Sequence, residues 1–515
     1  MTKIQNKTTR DSCPTVQKQQ LVFSLLLLSA LLPGFCSPVE ASKGVYDWAY
    51  VRLDYAREEK ADQLRRFWEK THTLARKAAR DASVLGCFEI NQRYAVMKQQ
   101  GEVPEAVSEK VEAFRKEFNA YYIKNYFSFY DLLFVNRQGR VFYTIRKESD
   151  LNSNLFQADQ QDGPLAHCLR NKPAAEAFVD FHEYGPSDKP AAFFVEPLHK
   201  DGQFLGWLVL QCAVNKVNTL FAWEDDLGQT GETFLVNREG FMLTESNFVG
   251  DSTILDKHLD DRNIQAKFAD EKGHRVVTDY RGRIALSSFE VVHFLGTTWL
   301  AVAKMDKAEI ITRHYTRHRR YYADKLLEYL HGAAPAPLQD ILDPSVAGLR
   351  VDMDEFLKAS NGEALQTIGI STCTGLLATY PGRFAYLAHI SPRDTLYGGE
   401  QTNLLGQMLK QVKSFDIRPC EKRGIVFVTV APHFESLLAT VDKLIQEGFL
   451  LSQIRVMFHP QAQTAAMHYD YLQQDLKVIW RLGDQPGNLG FQCMDCAFSV
   501  GEIIEEVIKK EEGGV

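Results

Sequence analysis

The sequence predicts an α+β protein with a long N-terminal helix, two tandem antiparallel-sheet modules and a separate α/β domain. Residues 45–94 place charged and aromatic residues at helical spacing. Alternating strand patterns with tight turns then occur twice, and a further strand and helix alternation follows a proline-containing linker. At 515 residues the chain is too long for one ordinary core, and 45% apolar with 24% charged residues indicates folded protein.

The N-terminus has the parts of an export signal. Lys3, Lys7, Arg10 and Lys18 precede an apolar run over residues 21–32, which is followed by small residues up to Ala41. The run is shorter than the roughly 20 residues of a spanning helix. We therefore predict a signal peptide over residues 1–41 and a periplasmic or otherwise exported protein, with an uncleaved N-terminal membrane anchor as the alternative.

Charge and motif content exclude several function classes. A net charge of −7 and a pI near 6.1 argue against a nucleic-acid partner, since the basic cluster at residues 313–320 is short. His459 and His468 lack neighbours at metal-ligand spacing. No glycine-rich phosphate loop or serine nucleophile motif is present in the sequence, so we predict neither a metal nor a cofactor.

The cysteine count predicts at least one unpaired thiol. Seven of the nine cysteines lie beyond residue 41, and an odd number cannot be fully paired in an exported protein. Cys373 is the candidate for the free thiol. Cys493 and Cys496 form a lone CxxC, which indicates either a local disulfide or two buried thiols.

The two strand-rich regions have similar rhythms. A helix is predicted over residues 105–122, then hairpins over residues 131–146 and 191–213. The second region repeats the pattern over residues 233–244, 284–292 and 298–304. Hairpins flanked by helices on an antiparallel sheet are typical of an α+β module.

Residues 44–305 resemble the double Cache sensor domains of bacterial receptors. The resemblance is carried by motifs in the family's order: residues 142–144, 184–187 and 190–193, Gly206, and residues 210–211 and 228–236. It implies two PAS-like modules that sense a small extracytoplasmic ligand, bound in the first module. The implied pocket residues are Tyr143, Asp180, Tyr184 and Phe193.

Aromatic walls with one carboxylate suit a cationic or amine-bearing ligand. The alternative is that Tyr143 and Phe193 are core residues and that Asp180 caps a loop. The Tyr, Arg, Trp and Tyr signature of the amino-acid-binding subset is not found, so the ligand class stays open. The resemblance also implies signalling partners, namely a membrane-bound receptor or another signalling protein, and a homodimer through the long helix.

The C-terminal third contains a thiol and an imidazole at a suggestive spacing. Residues 367–373 end on Cys373, and His389 follows sixteen positions later. A thiol within reach of an imidazole can act as a nucleophile, which indicates thiol-dependent acyl transfer. The alternative is a buried, inert cysteine.

Residues 348–482 resemble CheD, the family of chemoreceptor glutamine deamidases. Thr367, Gly369, Cys373, His389 and Pro392 match the family's active-site segment. The resemblance implies Cys373 as nucleophile, His389 as base and Thr367 as the residue that orients the imidazole. We predict a helical linker over residues 306–347 and a C-terminal tail over residues 483–515.

Together these features predict an exported small-molecule sensor whose C-terminal domain hydrolyses an amide. The alternative is a non-enzymatic binding protein whose C-terminal domain docks a partner.

Overall fold

The computed structural model describes residues 44–512 except 102, 158–162, 172–174, 188, 223–226, 260, 334–347, 360–362, 397–402, 418–420 and 484–488. The predicted signal segment and most of the proline-containing linker therefore lie outside the described residues. The helices are α1 (Asp47–Ala79), α2 (Ala82–Gln100), α3 (Glu105–Tyr126), α4 (Pro164–Asn171), α5 (Val214–Leu220), α6 (Asp261–Asp270), α7 (Lys307–Arg317), α8 (Arg319–Gly332), α9 (Pro392–Thr395), α10 (Leu404–Ser414), α11 (Phe434–Gln446) and α12 (Val500–Glu512).

The first module is an antiparallel sheet between two helical layers. Its strands are β1 (Asp131–Asn136), β2 (Val141–Thr144), β3 (Ala177–His182), β4 (Ala191–Lys200) and β5 (Gln203–Ala213), in the order β2-β1-β5-β4-β3. Apolar residues of α1, α2 and α3 pack with one set of strand side chains, and those of α4 pack with another. This confirms the predicted hairpins.

The second module is a smaller antiparallel sheet. Its strands are β6 (Glu232–Val236), β7 (Lys272–Thr278), β8 (Ile284–Phe294) and β9 (Thr297–Asp306), in the order β6-β9-β8-β7. Helix α6 packs Ile264 and Phe268 against Phe289 of this sheet. The long helix and two tandem antiparallel sheets confirm the predicted α+β class.

The C-terminal domain contains two sheets with separate strand orders. Its strands are β10 (Leu349–Arg350), β11 (Glu355–Lys358), β12 (Leu365–Ile370), β13 (Thr374–Tyr380), β14 (Phe384–Ile390), β15 (Val426–Val430), β16 (Ile454–Met457), β17 (Thr464–Asp470), β18 (Asp475–Arg481), β19 (Leu489–Cys493) and β20 (Phe498–Ser499). The orders are β10-β12-β17-β18-β19 and β11-β14-β13-β15-β16-β20. Buried side chains of Leu377, Val428 and Trp480 belong to one core shared by both sheets.

Residues 489–512, predicted as a tail, are an integral part of this domain. Strand β19 pairs with β18 and β20 pairs with β16. Helix α12 buries Val500, Ile503, Ile504 and Ile508 in the domain core. Burial of four apolar side chains explains why this segment folds onto the domain instead of extending as a tail.

The predicted linker helix divides into α7 and α8 at His318 and packs against the C-terminal domain. Tyr315 and Leu326 belong to the same core cluster as Leu437 of α11. The Tyr315 hydroxyl donates to Asp442 Oδ1 at 3.1 Å. The described part of this segment is therefore a packed connection.

Helix α1 joins both sheet modules. Trp68 is fully buried and stacks on Trp299 of β9 at 5.6 Å between ring centroids, and it also meets Phe194 of β4 at 5.9 Å. Further along α1, Arg57 is 1% exposed and donates to Ser288 Oγ of β8 at 2.6 Å. One helix thus fixes the first sheet relative to the second.

The single long helix predicted over residues 45–94 is interrupted at Asp81. Its side chain accepts a hydrogen bond from the Ser83 backbone N–H at 2.8 Å and so caps α2. The hydroxyls of Tyr121 and Tyr126 donate to its other oxygen at 2.5 and 2.6 Å. The break therefore ties α2 to α3, which helical periodicity alone does not reveal.

No helix among the described residues has both the length and the apolar character of a membrane span.

Asp81→Ala is expected to destabilise the protein by about 2 kcal/mol, because it removes a helix cap and leaves two tyrosine hydroxyls without their acceptor. Urea unfolding followed by circular dichroism measures the change. Asp81→Asn is the matched control, since an amide oxygen still caps the helix. Equal stability of Asp81→Ala and the wild type would contradict this role.

Candidate functional site

A row of buried side chains crosses the first sheet. Asp131 of β1 pairs with Gln211 of β5, and Gln211 pairs with Phe193 of β4. Side chains at directly opposed positions project from the same face of a sheet. Asp131 and Phe193 are fully buried and Gln211 is 2% exposed. Polar groups at this depth must be hydrogen-bonded or are costly.

Of the predicted ligand-binding residues, Phe193 belongs to this row and Tyr184 lies beside it. The Tyr184 ring meets the Phe193 ring edge-to-face at 4.8 Å between centroids. The Tyr184 hydroxyl donates to Asp150 Oδ2 at 2.8 Å. The structure therefore brings Tyr184 and Phe193 together and adds a carboxylate, Asp150, that the sequence did not single out.

Several acceptor oxygens in this region have no hydrogen-bond partner among the described residues. They are Asp131 Oδ2, Glu148 Oε2, Asp150 Oδ1 and Gln211 Oε1, and each of these oxygen atoms is buried. We call these four residues the acceptor cluster. The other Asp131 oxygen is satisfied by the backbone N–H groups of Leu132, Ile145 and Arg146 at 2.7–3.1 Å.

Two carboxyl groups of the cluster, those of Asp131 and Asp150, have raised pKa values. Burial raises the pKa of Asp131 to about 7, although backbone N–H donors oppose the shift and Asp150 adds to it. Burial also raises the pKa of Asp150, with Glu148 contributing. No described Lys or Arg forms an ion pair with Asp131 or Asp150. The cluster therefore offers acceptors and negative charge without a cation to match them.

Tyr143 lies outside the acceptor cluster. Its hydroxyl donates to Asn119 of α3, its ring stacks on Phe134 at 5.4 Å, and the Arg115 guanidinium lies 5.6 Å from the ring centroid. These contacts place Tyr143 in the packing between the sheet and α3. They agree with the core alternative, and a ligand contact of Tyr143 stays a prediction.

Asp180 also lies outside the cluster. Its carboxylate accepts from Trp299 Nε1 at 2.9 and 3.1 Å and from the Phe181 backbone N–H at 2.8 Å. Burial raises the pKa of Asp180 to about 7, which the Phe181 and Trp299 donors oppose. Because Trp299 belongs to the second sheet, Asp180 connects the two modules, and its ligand contact stays a prediction.

Asp131, Asp150 and Gln211 were missed because their convergence depends on strand register. Asp131 opens the otherwise apolar strand DLLFV, and Gln211 is a polar residue within the apolar strand FLGWLVLQCA. Polar residues inside buried strands were the signal available in the sequence.

In the C-terminal domain, the structure places Thr367 and His389 in contact. Thr367 Oγ1 lies 2.8 Å from His389 Nδ1, and both residues are buried. The pairing of β12 with β17 shifts between Thr367 and Ile370, where Gly369 adopts a φ of +74°. Glycine suits this left-handed conformation. His389 Nε2 is buried without a partner among the described residues.

Cys373 is not hydrogen-bonded to His389. Its sulfur contacts Met353 Sδ at 3.9 Å, and the residue is 6% exposed. Burial raises the pKa of the Cys373 thiol, and the Asp354 carboxylate adds to the shift. Burial lowers the pKa of His389. Both shifts favour a neutral thiol and a neutral imidazole near pH 7, and His389 does not contribute to the pKa of the thiol.

The remaining cysteines do not form disulfides among the described residues. Cys493 and Cys496 are free and partly buried, which agrees with the thiol alternative for the CxxC. Cys420 lies outside the described residues. His459 is 3% exposed and packs beside Trp480 at 5.9 Å, as expected of a structural histidine.

One histidine and two carboxylates lie close enough to share a metal ion. Ligand atoms of His72, Glu176 and Glu196 fall within 4.8 Å of one another. Arg76, however, already forms an ion pair with Glu176 at 2.5 Å. A cation at this position would face that guanidinium, which argues against a metal centre here.

Comparisons with known proteins give weak structural likenesses. No family model matches the chain, and no curated protein matches it. An extracellular ligand-binding receptor from Desulfohalobium retbaense aligns at 12% identity over 49% of this chain and 40% of that chain, with a TM-score of 0.34. The chain therefore spans less than half the length of that receptor.

Two chemoreceptor domains align over similar stretches. The ligand-binding domain of Pseudomonas fluorescens CtaA with L-isoleucine shows 13% identity over 50% of this chain and 91% of its own, with a TM-score of 0.33. The ligand-binding domain of Pseudomonas aeruginosa PctB with L-Arg shows 14% identity over 51% of this chain and 95% of its own, with a TM-score of 0.30. Scores and identities this low do not establish function.

Alkylation of Cys373 by iodoacetamide at pH 7 is expected to be slower in the folded protein than in the denatured chain, because the thiolate is the reactive form and burial disfavours it. The rate should rise with pH through the alkaline range. His389→Ala should change it by less than about twofold. Mass spectrometry of the Cys373 peptide measures the rate; fast labelling that depends on His389 would contradict this account.

Proposed function

We propose that this protein is an exported ligand sensor of the double Cache type, in which the first module binds a small molecule that carries a primary ammonium group. The acceptor cluster is the observation that carries the proposal. Four buried oxygens without donors, two of them on carboxyls with raised pKa values, match a ligand that supplies several N–H donors and a positive charge.

The aromatic residues complete the site. Tyr184 and Phe193 form an edge-to-face pair against the acceptor cluster, so they offer an apolar wall for the body of the ligand. Tyr184 also fixes Asp150 through its hydroxyl. This arrangement supports the amine-bearing ligand class and leaves the remainder of the ligand unspecified.

Ethanolamine, putrescine and ethylammonium are suitable probes, with glycolate as an anion of similar size to ethanolamine. An ammonium probe at 100 times its Kd should raise the melting temperature by roughly 5 °C, since binding then stabilises by about 2.7 kcal/mol. Asp131→Asn should abolish this shift.

Asp180→Asn is the matched control, because it alters a buried carboxylate of the same module that lies outside the acceptor cluster. It should keep the ammonium response. Stabilisation by glycolate but by none of the ammonium probes would contradict the proposal, as would an undiminished response in Asp131→Asn.

Binding of an ammonium probe is expected to weaken as the pH falls. The free site holds Asp131 with a pKa of about 7, and protonation removes the charge that the ligand needs. Affinity should be about tenfold weaker at pH 6 than at pH 8. Isothermal titration calorimetry measures the dependence; a Kd independent of pH over this range would contradict the role of the cluster.

Thiol chemistry in the C-terminal domain is a second candidate function. The Thr367–His389 hydrogen bond favours it, because it orients the imidazole and leaves Nε2 free to accept a proton. A substrate amide would have to bring Cys373 Sγ and His389 Nε2 together. In that event, Cys373 would attack a side-chain carboxamide, ammonia would leave, and water would hydrolyse the thioester.

The non-enzymatic alternative, in which this domain docks a partner, is equally compatible with a buried thiol of raised pKa. Incubation of candidate glutamine-containing peptides with the protein, followed by mass spectrometry for a Gln-to-Glu change, separates the two. Activity lost in Cys373→Ser would favour the enzyme.

Two partner predictions remain. A homodimer could form through α1, where Val51 and Tyr55 are 68% and 63% exposed one helical turn apart. A membrane-bound receptor or another signalling protein stays a proposed partner, and the periplasm or another exported location stays the proposed setting.

A further inference from the structure

The second module has a partly open cavity of about 180 Å³ between α6 and the sheet. Its apolar walls include Phe234, Leu259, Ile264 and Val302, and its polar lining includes Lys267 and Ser287. A volume of this size corresponds to about six water molecules at ~30 Å³ each. It can hold a small organic molecule.

Lys267 is a buried ammonium in this cavity. The residue is 4% exposed, and its Nζ donates to Ser287 Oγ at 2.9 Å. Among the described residues, no carboxylate lies within ion-pair distance of Lys267. Burial lowers the pKa of Lys267 to about 8, and the positive charges of Lys304 and Arg275 add to the shift.

The other charged groups of the lining do not supply a counter-ion. Lys257 lies 5.8 Å from the Tyr280 ring centroid, and both line the cavity. The Asp279 carboxylate is already shared between Lys304 and Arg281. Lys304 is itself paired with Glu232 and Asp279, whereas Lys267 has no carboxylate at ion-pair distance among the described residues. A buried charge without a counter-ion is strongly unfavourable, and an anion in the cavity would relieve it.

We propose that this cavity is a second ligand site, separate from the acceptor cluster, and that it binds a small carboxylate with a short apolar body. The carboxylate would meet the Lys267 ammonium and the Ser287 hydroxyl, while the body would lie against Phe234 and Val302. The two modules would then recognise ligands of opposite charge.

Butyrate is a suitable probe because two molecules of nearly the same shape differ from it in charge: 1-butanol is neutral and butylammonium is positive. Butyrate should raise the melting temperature of the full chain, whereas 1-butanol at equal concentration should not. Butylammonium is the third comparator and reports on the acceptor cluster. A response to butylammonium that survives in Lys267→Met would show that the two sites are independent.

Lys267→Met separates binding from folding. Removal of an unpaired buried charge should leave the ligand-free protein at least as stable as the wild type. The same change should weaken butyrate binding by about tenfold or more, because a hydrogen bond to a charged group is lost. Lys200→Met is the matched control: Lys200 is a surface residue of β4 that pairs with Glu89, and its loss should leave butyrate binding unchanged.

Hydrogen exchange provides a measurement that does not depend on a variant. Butyrate should slow exchange in α6 and in the segment of β8 around Ser287, and 1-butanol should not. The proposal is overturned if butyrate neither stabilises the wild type nor protects α6, or if Lys267→Met binds butyrate as well as the wild type does.

Discussion

One long helix packs against both antiparallel sheets and thereby sets their relative position. Trp68 lies against β4 and β9, and Arg57 reaches β8, so α1 holds the two modules in one arrangement. Asp180 adds a direct link from β3 to Trp299. A change in the position of either sheet would therefore act on the same helix.

The second sheet in turn contacts the C-terminal domain through charge. Asp306, at the end of β9, pairs with Arg281 of its own module and with Arg423 of the C-terminal domain. Arg423 also donates to the Gln229 backbone carbonyl at 3.0 Å. Helices α7 and α8 pack into the core of the C-terminal domain. The described parts of the chain therefore form a continuous series of contacts from the acceptor cluster to the C-terminal domain.

The sequence was informative where a pattern is local. Period-two alternation predicted the hairpins of the first module. The resemblance to CheD implied that the Thr367 hydroxyl orients the His389 imidazole, and the two groups lie 2.8 Å apart. The sequence could not predict whether the sulfur would join them, because that depends on how residues 371–373 leave the bulged strand.

The other residues of the candidate site depend on strand register and burial, which a local sequence pattern does not reveal. Asp131, Gln211 and Phe193 are separated by many residues and meet only through strand pairing. Tyr143 and Asp180 have the residue types of a pocket, yet their hydrogen bonds go to Asn119 and Trp299. Residue type alone does not distinguish a ligand contact from a contact between two elements.

Calorimetry in buffers of different ionisation enthalpy gives the number of protons released when ethanolamine binds, and this number reports on whether buried carboxyls receive the ammonium. If buried carboxyls of the first module receive the ammonium, about one proton or more per ligand should leave at pH 6 and almost none at pH 9. Binding without proton release at pH 6, or no binding at either pH, would contradict the account.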